Sequence, residues 1–115
     1  MREFLKVMKA VSDATRVKIL KMLQKKVMCV CEIQNAVGTA QSTASKHLKV
    51  LEDAGLITSY KDGLWVNYTL ADGRQSPYAA NLIGNMRHWL NDDGEVAVLL
   101  EGLDHIDRYE IVGRN

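Results

Sequence analysis

The chain has one proline, one phenylalanine and two cysteines in 115 residues, and no apolar run longer than five. The longest runs, Val27 to Cys31 and Val96 to Leu100, fall far short of the roughly 20 residues that cross a bilayer, which excludes a membrane-spanning helix. Two cysteines one residue apart cannot staple a small secreted domain. In a reducing compartment they are expected as thiols whose purpose is chemical. With 47% hydrophobic and 25% charged residues, so little proline excludes collagen-like composition, low complexity and disorder. The opening residues Met1-Arg2-Glu3-Phe4-Leu5-Lys6 mix both signs of charge and lack the apolar core of a signal peptide, so the cytoplasm is the expected location. This length predicts a single domain over 1–115 and leaves no room for a two-domain enzyme.

A net charge of +1 hides an asymmetry. Residues 1–61 carry eleven Lys or Arg against five Asp or Glu, a balance of +6, whereas residues 62–115 carry four against nine, a balance of −5. A basic half of this kind suits a polyanion, so nucleic-acid contacts are expected in the first half.

Phe4, Leu5, Met8 and Val11 fall at helical spacing and predict a first helix over 3–11. Ser12 and Asp13 offer caps for a second, to about Lys25, with Ala14, Val17, Ile19, Leu20 and Leu23 inward and Arg16, Lys18, Lys21, Lys25 and Lys26 outward. A short third helix over 30–37 ends at Gly38. After a tight turn through Thr39 and Ala40, a fourth runs from Gln41 to Ala54 and closes at Gly55. Helix, three-residue turn, helix is the DNA-binding helix-turn-helix arrangement. Within the fourth helix Ala44, Leu48 and Leu51 form an inward stripe, and Ser42, Ser45, Lys46 and Lys49 a polar, basic one opposite.

Two β-rich runs follow, 57–61 and 64–70, joined by Asp62-Gly63, a strong hairpin signal. A turn there pairs Lys61 with Leu64, Tyr60 with Trp65, Ser59 with Val66 and Ile57 with Tyr68, with Leu64, Val66, Tyr68 and Leu70 on one side, facing the core. Ser76-Pro77 starts a fifth helix to about Leu90, and Asp92 or Asp93 caps a sixth carrying Val96, Leu99, Leu100 and Leu103. Residues 110–115 are expected to fray. The expected fold is mainly α with a β-hairpin wing, in the order α-α-α-α-β-β-α-α, a winged helix-turn-helix.

Two segments carry a family likeness: Ser12-Asp13-Ala14-Thr15-Arg16-Val17-Lys18-Ile19-Leu20, and the run from Gln41 through Ser45-Lys46-His47-Leu48-Lys49 to Ile57. They resemble the ArsR/SmtB family of bacterial winged-helix repressors, with Ala14 where the family's pattern has proline. Met28-Cys29-Val30-Cys31-Glu32-Ile33 further resembles the C-V-C-[ED]-L segment with which arsenic-sensing members bind As(III). The resemblance implies a homodimer joined through its terminal helices and bound to double-stranded operator DNA. Phe4, Trp89 and Leu100, with few internal partners in so short a chain, suit such an interface.

By that resemblance Gln41, Ser42, Thr43, Ser45 and Lys46 lie where base edges and phosphates are met. Their chemistry agrees: glutamine pairs with adenine, hydroxyls serve bases or phosphates, and lysine reaches guanine or the backbone. Lys49 extends the basic stripe, His47 takes a phosphate or packing role, and Lys61 at the wing tip suits a backbone contact. Cys29 and Cys31 would point about 200° apart inside a helix. At a helix start, with the first turn extended, both sulfurs fall on one side and can chelate a soft ion. As(III) or Sb(III) is the expected inducer, with no organic cofactor, and binding would distort the third helix and release the operator.

As(III) takes three sulfurs, and the family's third cysteine position is Gln34 here, so water, hydroxide or an external thiol would complete the site. The C-terminal zinc pattern of other members is not matched by His88, Asp92, Asp104, His105 and Asp107, which are expected as solvated surface. Trp65 and Tyr60 are expected to form a cross-strand pair. The alternative for the thiols is a switch responding to oxidants or reactive sulfur. A module that keeps only the dimer surface is a further alternative. An enzyme is not expected, because no nucleophile, base and orienting group are grouped.

Overall fold

A computed structural model describes residues 1–113. Its elements are α1 (Arg2–Ala10), α2 (Ala14–Lys25), β1 (Met28–Cys29), α3 (Val30–Val37), α4 (Gln41–Asp53), β2 (Ile57–Asp62), β3 (Trp65–Leu70), α5 (Pro77–Met86), α6 (Gly94–Gly102), a 3-10 turn (Leu103–His105) and α7 (Arg108–Gly113). The winged helix-turn-helix expected from the sequence is present. Ile19, Met22, Ile33, Leu48, Leu51, Leu56 and Ile57 are fully buried where α2, α3, α4 and the sheet meet.

Local chemistry explains the boundaries. Asp13, Ser76 and Asp93 are N-caps, each accepting a backbone N–H three residues on. Gly38, at φ 73°, closes α3 in the left-handed region and so makes the sharp turn into α4.

The sheet departs from expectation twice. It has three strands in the order β1-β3-β2, because Met28 and Cys29 pair with Tyr68 and Asn67. A two-residue strand is too short to leave a periodic signal. The hairpin register is also shifted by two residues, with Asp62 opposite Trp65, Lys61 opposite Val66 and Ile57 opposite Leu70. The turn is Gly63-Leu64 rather than Asp62-Gly63, since Gly63, at φ 61°, takes the first central position, as a type II′ turn requires. A shift of two keeps every side chain on its face. Tyr68 and Leu70 therefore still pack against the core, while Leu64 and Val66 extend beyond it and are exposed.

Three cations of α2 and its C-cap do not point outward. Arg16 donates to the carbonyls of Ala10 and Lys9 at the end of α1. Lys21, 1% exposed, donates to Met86 O, Trp89 O and Asn91 Oδ1, each at 2.8 Å, at the end of α5. Lys26 reaches the carbonyls of Leu103 and Ile106 beyond α6. Each donates to carbonyls at or just beyond a helix C-terminus, where positive charge is favoured, adding to the backbone N–H groups that Lys9 O, Met86 O and Leu103 O already accept. The Lys21 contacts also mark why α5 ends at Met86 and not near Leu90, which has φ 63°. Leu100, expected to lack internal partners, packs against the core.

The C-terminal segment is helical where fraying was expected. Arg108–Gly113 forms α7, anchored by Arg108 on Glu32 and by Tyr109 against Trp65. Trp65 thus pairs with Tyr109, not with Tyr60, which lies opposite Asn67. Residues 114–115 of the expected frayed end lie outside the described residues. No helix among the described residues is long and apolar enough to cross a membrane.

Candidate nucleic-acid interface and thiol site

In α4 the alternation of buried and exposed positions produces an outward face. Ala44, Leu48 and Leu51 are buried, whereas Gln41, Ser42, Thr43, Ser45, Lys46 and Lys49 are exposed. Lys49 makes an exposed pair with Asp53 at 3.4 Å, weak enough in water for a phosphate to replace it. Glu52 is drawn off this face, accepting the Ser59 hydroxyl of β2 at 2.9 Å and so tying the wing to the helix. Lys61 is exposed on the wing.

His47 sits apart from the other expected contacts. It is half-buried, and its Nδ1 lies 3.2 Å from Arg16 Nη1. A guanidinium only donates, so Nδ1 is the acceptor. His47 therefore joins α4 to α2 and, through Arg16, to the end of α1.

The two thiols come together at the start of α3. Cys29 is its N-cap, in an extended conformation at φ −86° and ψ 170°, and Cys31 follows at the second helical position. The extended step puts both Sγ atoms on one side, 2.8 Å apart. Cys29 is buried and Cys31 half-buried. Glu32 Oε1 accepts the Cys29 N–H at 2.9 Å and forms a salt bridge with Arg108 at 2.8 Å. Burial first, and the contact with Cys31 second, push the Cys29 thiol up to about 12. Cys29 therefore keeps its proton at neutral pH.

Among the described residues no group of three or more His, Cys, Asp or Glu is placed to hold a metal ion. A ligand on the pair must bring its remaining coordination with it. Gln34 is half-buried on α3, and His88, Asp92, Asp104, His105 and Asp107 are exposed. Asp107 accepts the Tyr109 N–H.

Sequence periodicity did not reveal Arg108, Asn67 or Glu32 as neighbours of the thiols. The Cys-x-Cys-Glu spacing does carry the signal for Glu32, as the acidic residue of a capping box.

An apolar cleft of about 580 Å³ lies beside α5, lined by Val11, Val17, Leu82, Met86, His88, Trp89 and Leu90. Phe4 and Leu5 of α1 and Tyr78 of α5 are exposed, as are Trp89 and Leu90.

The bacterial regulatory protein arsR family matches residues 13–59. A cadmium resistance transcriptional regulatory protein CadC homolog of Staphylococcus aureus is 43% identical over 68 residues, which span 58% of this chain and 56% of that protein. The chain thus covers little more than half of that relative. The arsenical resistance operon repressor of Bacillus subtilis is 37% identical over 73 residues, 63% of this chain and 70% of the repressor. A homodimeric winged helix-turn-helix DNA-binding domain from Mycobacterium bovis is 26% identical with a TM-score of 0.63, the match covering 90% of this chain and 84% of that domain. With its helix-turn-helix, its wing and a repressor of this kind matched over most of its length, the chain belongs to the ArsR family of DNA-binding transcriptional regulators.

Proposed function

We propose that this protein is a homodimeric repressor that leaves its operator when As(III), or the chemically similar Sb(III), binds Cys29 and Cys31. The observation that carries this reading is the convergence of the two Sγ atoms, 2.8 Å apart at the N-cap of α3, the helix that packs directly on recognition helix α4. Gln41, Ser42, Thr43, Ser45, Lys46 and Lys49 meet bases and phosphates, and Lys61 meets the backbone from the wing. A second copy covers the apolar surface of α1 and α5, and this doubles the contacts on a palindromic site.

The protonation of Cys29 favours a metalloid over a divalent metal. As(III) enters as a neutral hydroxide, and each thiol proton leaves with a hydroxide as water. Two S–As bonds form, two As–O bonds break, and no charge is left buried. Cadmium, which the staphylococcal relative's name carries, must instead expel protons into solution. Water, hydroxide or an external thiol fills the third position on As(III).

The same proximity supports a second reading, a peroxide-responsive switch in which two thiols and one peroxide give a disulfide and two waters. The two chemistries pull the sulfurs in opposite directions. Two separate sulfur ligands on one three-coordinate As(III) stand wider apart than the present 2.8 Å, whereas a disulfide is about 2.05 Å.

Operator-fragment anisotropy, titrated separately with arsenite, antimonite, cadmium, zinc and peroxide, tests the assignment. Release by arsenite or antimonite is expected, with Cys29→Ser keeping DNA affinity and losing the response. Normal release of Cys29→Ser by arsenite would remove the sensing role from this pair.

Lys46→Ala is expected to weaken binding and to flatten the dependence of log K on log salt by about 0.9 for each phosphate that is no longer neutralised. An unchanged slope would take Lys46 off the backbone.

A further inference from the structure

Arg108, the first residue of α7, touches the thiol site and the wing at once. Its Nη2 donates to Glu32 Oε1 at 2.8 Å and to Asn67 Oδ1 at 2.9 Å. Its guanidinium carbon lies 4.9 Å from the centroid of the Trp65 ring, which also meets Tyr109 edge-on at 5.7 Å. Glu32 Oε1 accepts the Cys29 N–H as well, and Cys29 is the sheet partner of Asn67. Glu32 and Asn67 are each 4% exposed. A buried carboxylate that loses its guanidinium is strongly disfavoured, so this cluster is either assembled or opened, with little between.

We infer that Arg108 is the positioning residue that couples occupancy of the thiol pair to the wing, with α7 acting as a clasp across the two. The inference rests on the sensing role proposed for Cys29 and Cys31. Chelation has to spread sulfurs that stand 2.8 Å apart to the wider spacing of two separate ligands on one three-coordinate As(III). Spreading them moves the extended Cys29 backbone, and with it the N–H held by Glu32. Glu32 shares one oxygen between that N–H and Arg108, so its displacement loosens the guanidinium from Asn67 and Trp65. The wing strand is then no longer held in place relative to α3. A two-state element biased by both sites is what a coupling free energy needs.

Trp65 supplies the readout. Its emission is measured on the full-length protein during arsenite titration, with Trp65→Phe identifying its share of the signal. Free thiols are counted in parallel, and operator affinity is measured with and without arsenite. In the wild type, arsenite is expected to protect the thiols, change Trp65 emission and lower operator affinity. Arg108→Ala is expected to show the altered emission before arsenite is added and to keep thiol protection. Its ratio of free to loaded operator affinity should fall at least fivefold, within the usual range of allosteric coupling. Arg108→Lys, which keeps the charge without the fork, should recover part of that ratio.

If Arg108→Ala does not fold, Tyr109→Ala, which removes an exposed ring from Trp65, is expected to reduce the ratio in the same direction. Intact thiol protection with a wild-type ratio in the folded variant would overturn the clasp and leave the sensing role standing. No thiol protection in the wild type would remove the sensing role, and the clasp with it.

Discussion

Cadmium affinity for the thiol pair is expected to rise about tenfold per pH unit for each proton displaced, while arsenite affinity stays flat between pH 6 and 8. The difference follows from the Cys29 thiol, pushed up to about 12 by burial and by Cys31. Throughout this range Cys29 is protonated, well below its folded-state value. A divalent cation must drive that proton into solution, so acid opposes binding and alkali favours it. Over two pH units the change is about a hundredfold for one proton. Arsenous acid carries its own base, since the departing hydroxide takes the thiol proton as water and the balance of free protons is zero. Competition against a thiol-reactive dye at several pH values measures both slopes. Cadmium affinity that stays flat, together with arsenite affinity that falls as pH rises, would mean that the thiolates form before the ligand arrives, and the account of Cys29 would be wrong.

The second large effect concerns Lys21, which has no part in binding. Lys21→Met keeps the apolar stem and removes the ammonium that Met86 O, Trp89 O and Asn91 Oδ1 accept from, leaving Met86 O only the Trp89 N–H. Leaving buried neutral acceptors without a charged donor costs about 1–3 kcal/mol, which for a chain of this size lowers the melting temperature on the order of 5–15 °C. Lys25→Met, at an exposed neighbour, is expected to stay within about 0.5 kcal/mol of the wild type. Thermal and urea unfolding of the two variants compares them directly. Equal stability would mean that the ammonium merely fills space and that α5 ends where it does for another reason. The same bonds set where Trp89 and Leu90 stand, so loss of Lys21 should also disturb the apolar surface proposed for the dimer.

The charge asymmetry is therefore only partly a DNA signal. Arg16, Lys21 and Lys26 belong to the basic first half, yet each is engaged at the carbonyl end of another helix. The phosphate-seeking cations are a smaller set, with Lys46, Lys49 and Lys61 at its centre. Helical periodicity states which side of α2 a residue leaves from, but a long side chain can turn back and bury its stem and head together. Nothing in the spacing of Lys21 differs from that of Lys25.

Periodicity, caps and turn glycines act within a few residues, and they were enough to specify the helix-turn-helix, the exposed face of α4 and the start of α3 at the cysteines. Long-range packing set the rest: the third strand at Met28–Cys29, the Gly63-Leu64 turn and its register, and the inward course of Arg16, Lys21 and Lys26. It also brought Arg108 to Glu32 and Asn67, which stand 76 and 41 residues away from it along the chain. Such contacts depend on which carbonyls and carboxylates remain unpaired once the helices have packed, and that is a property of the assembled fold rather than of any local run of residues.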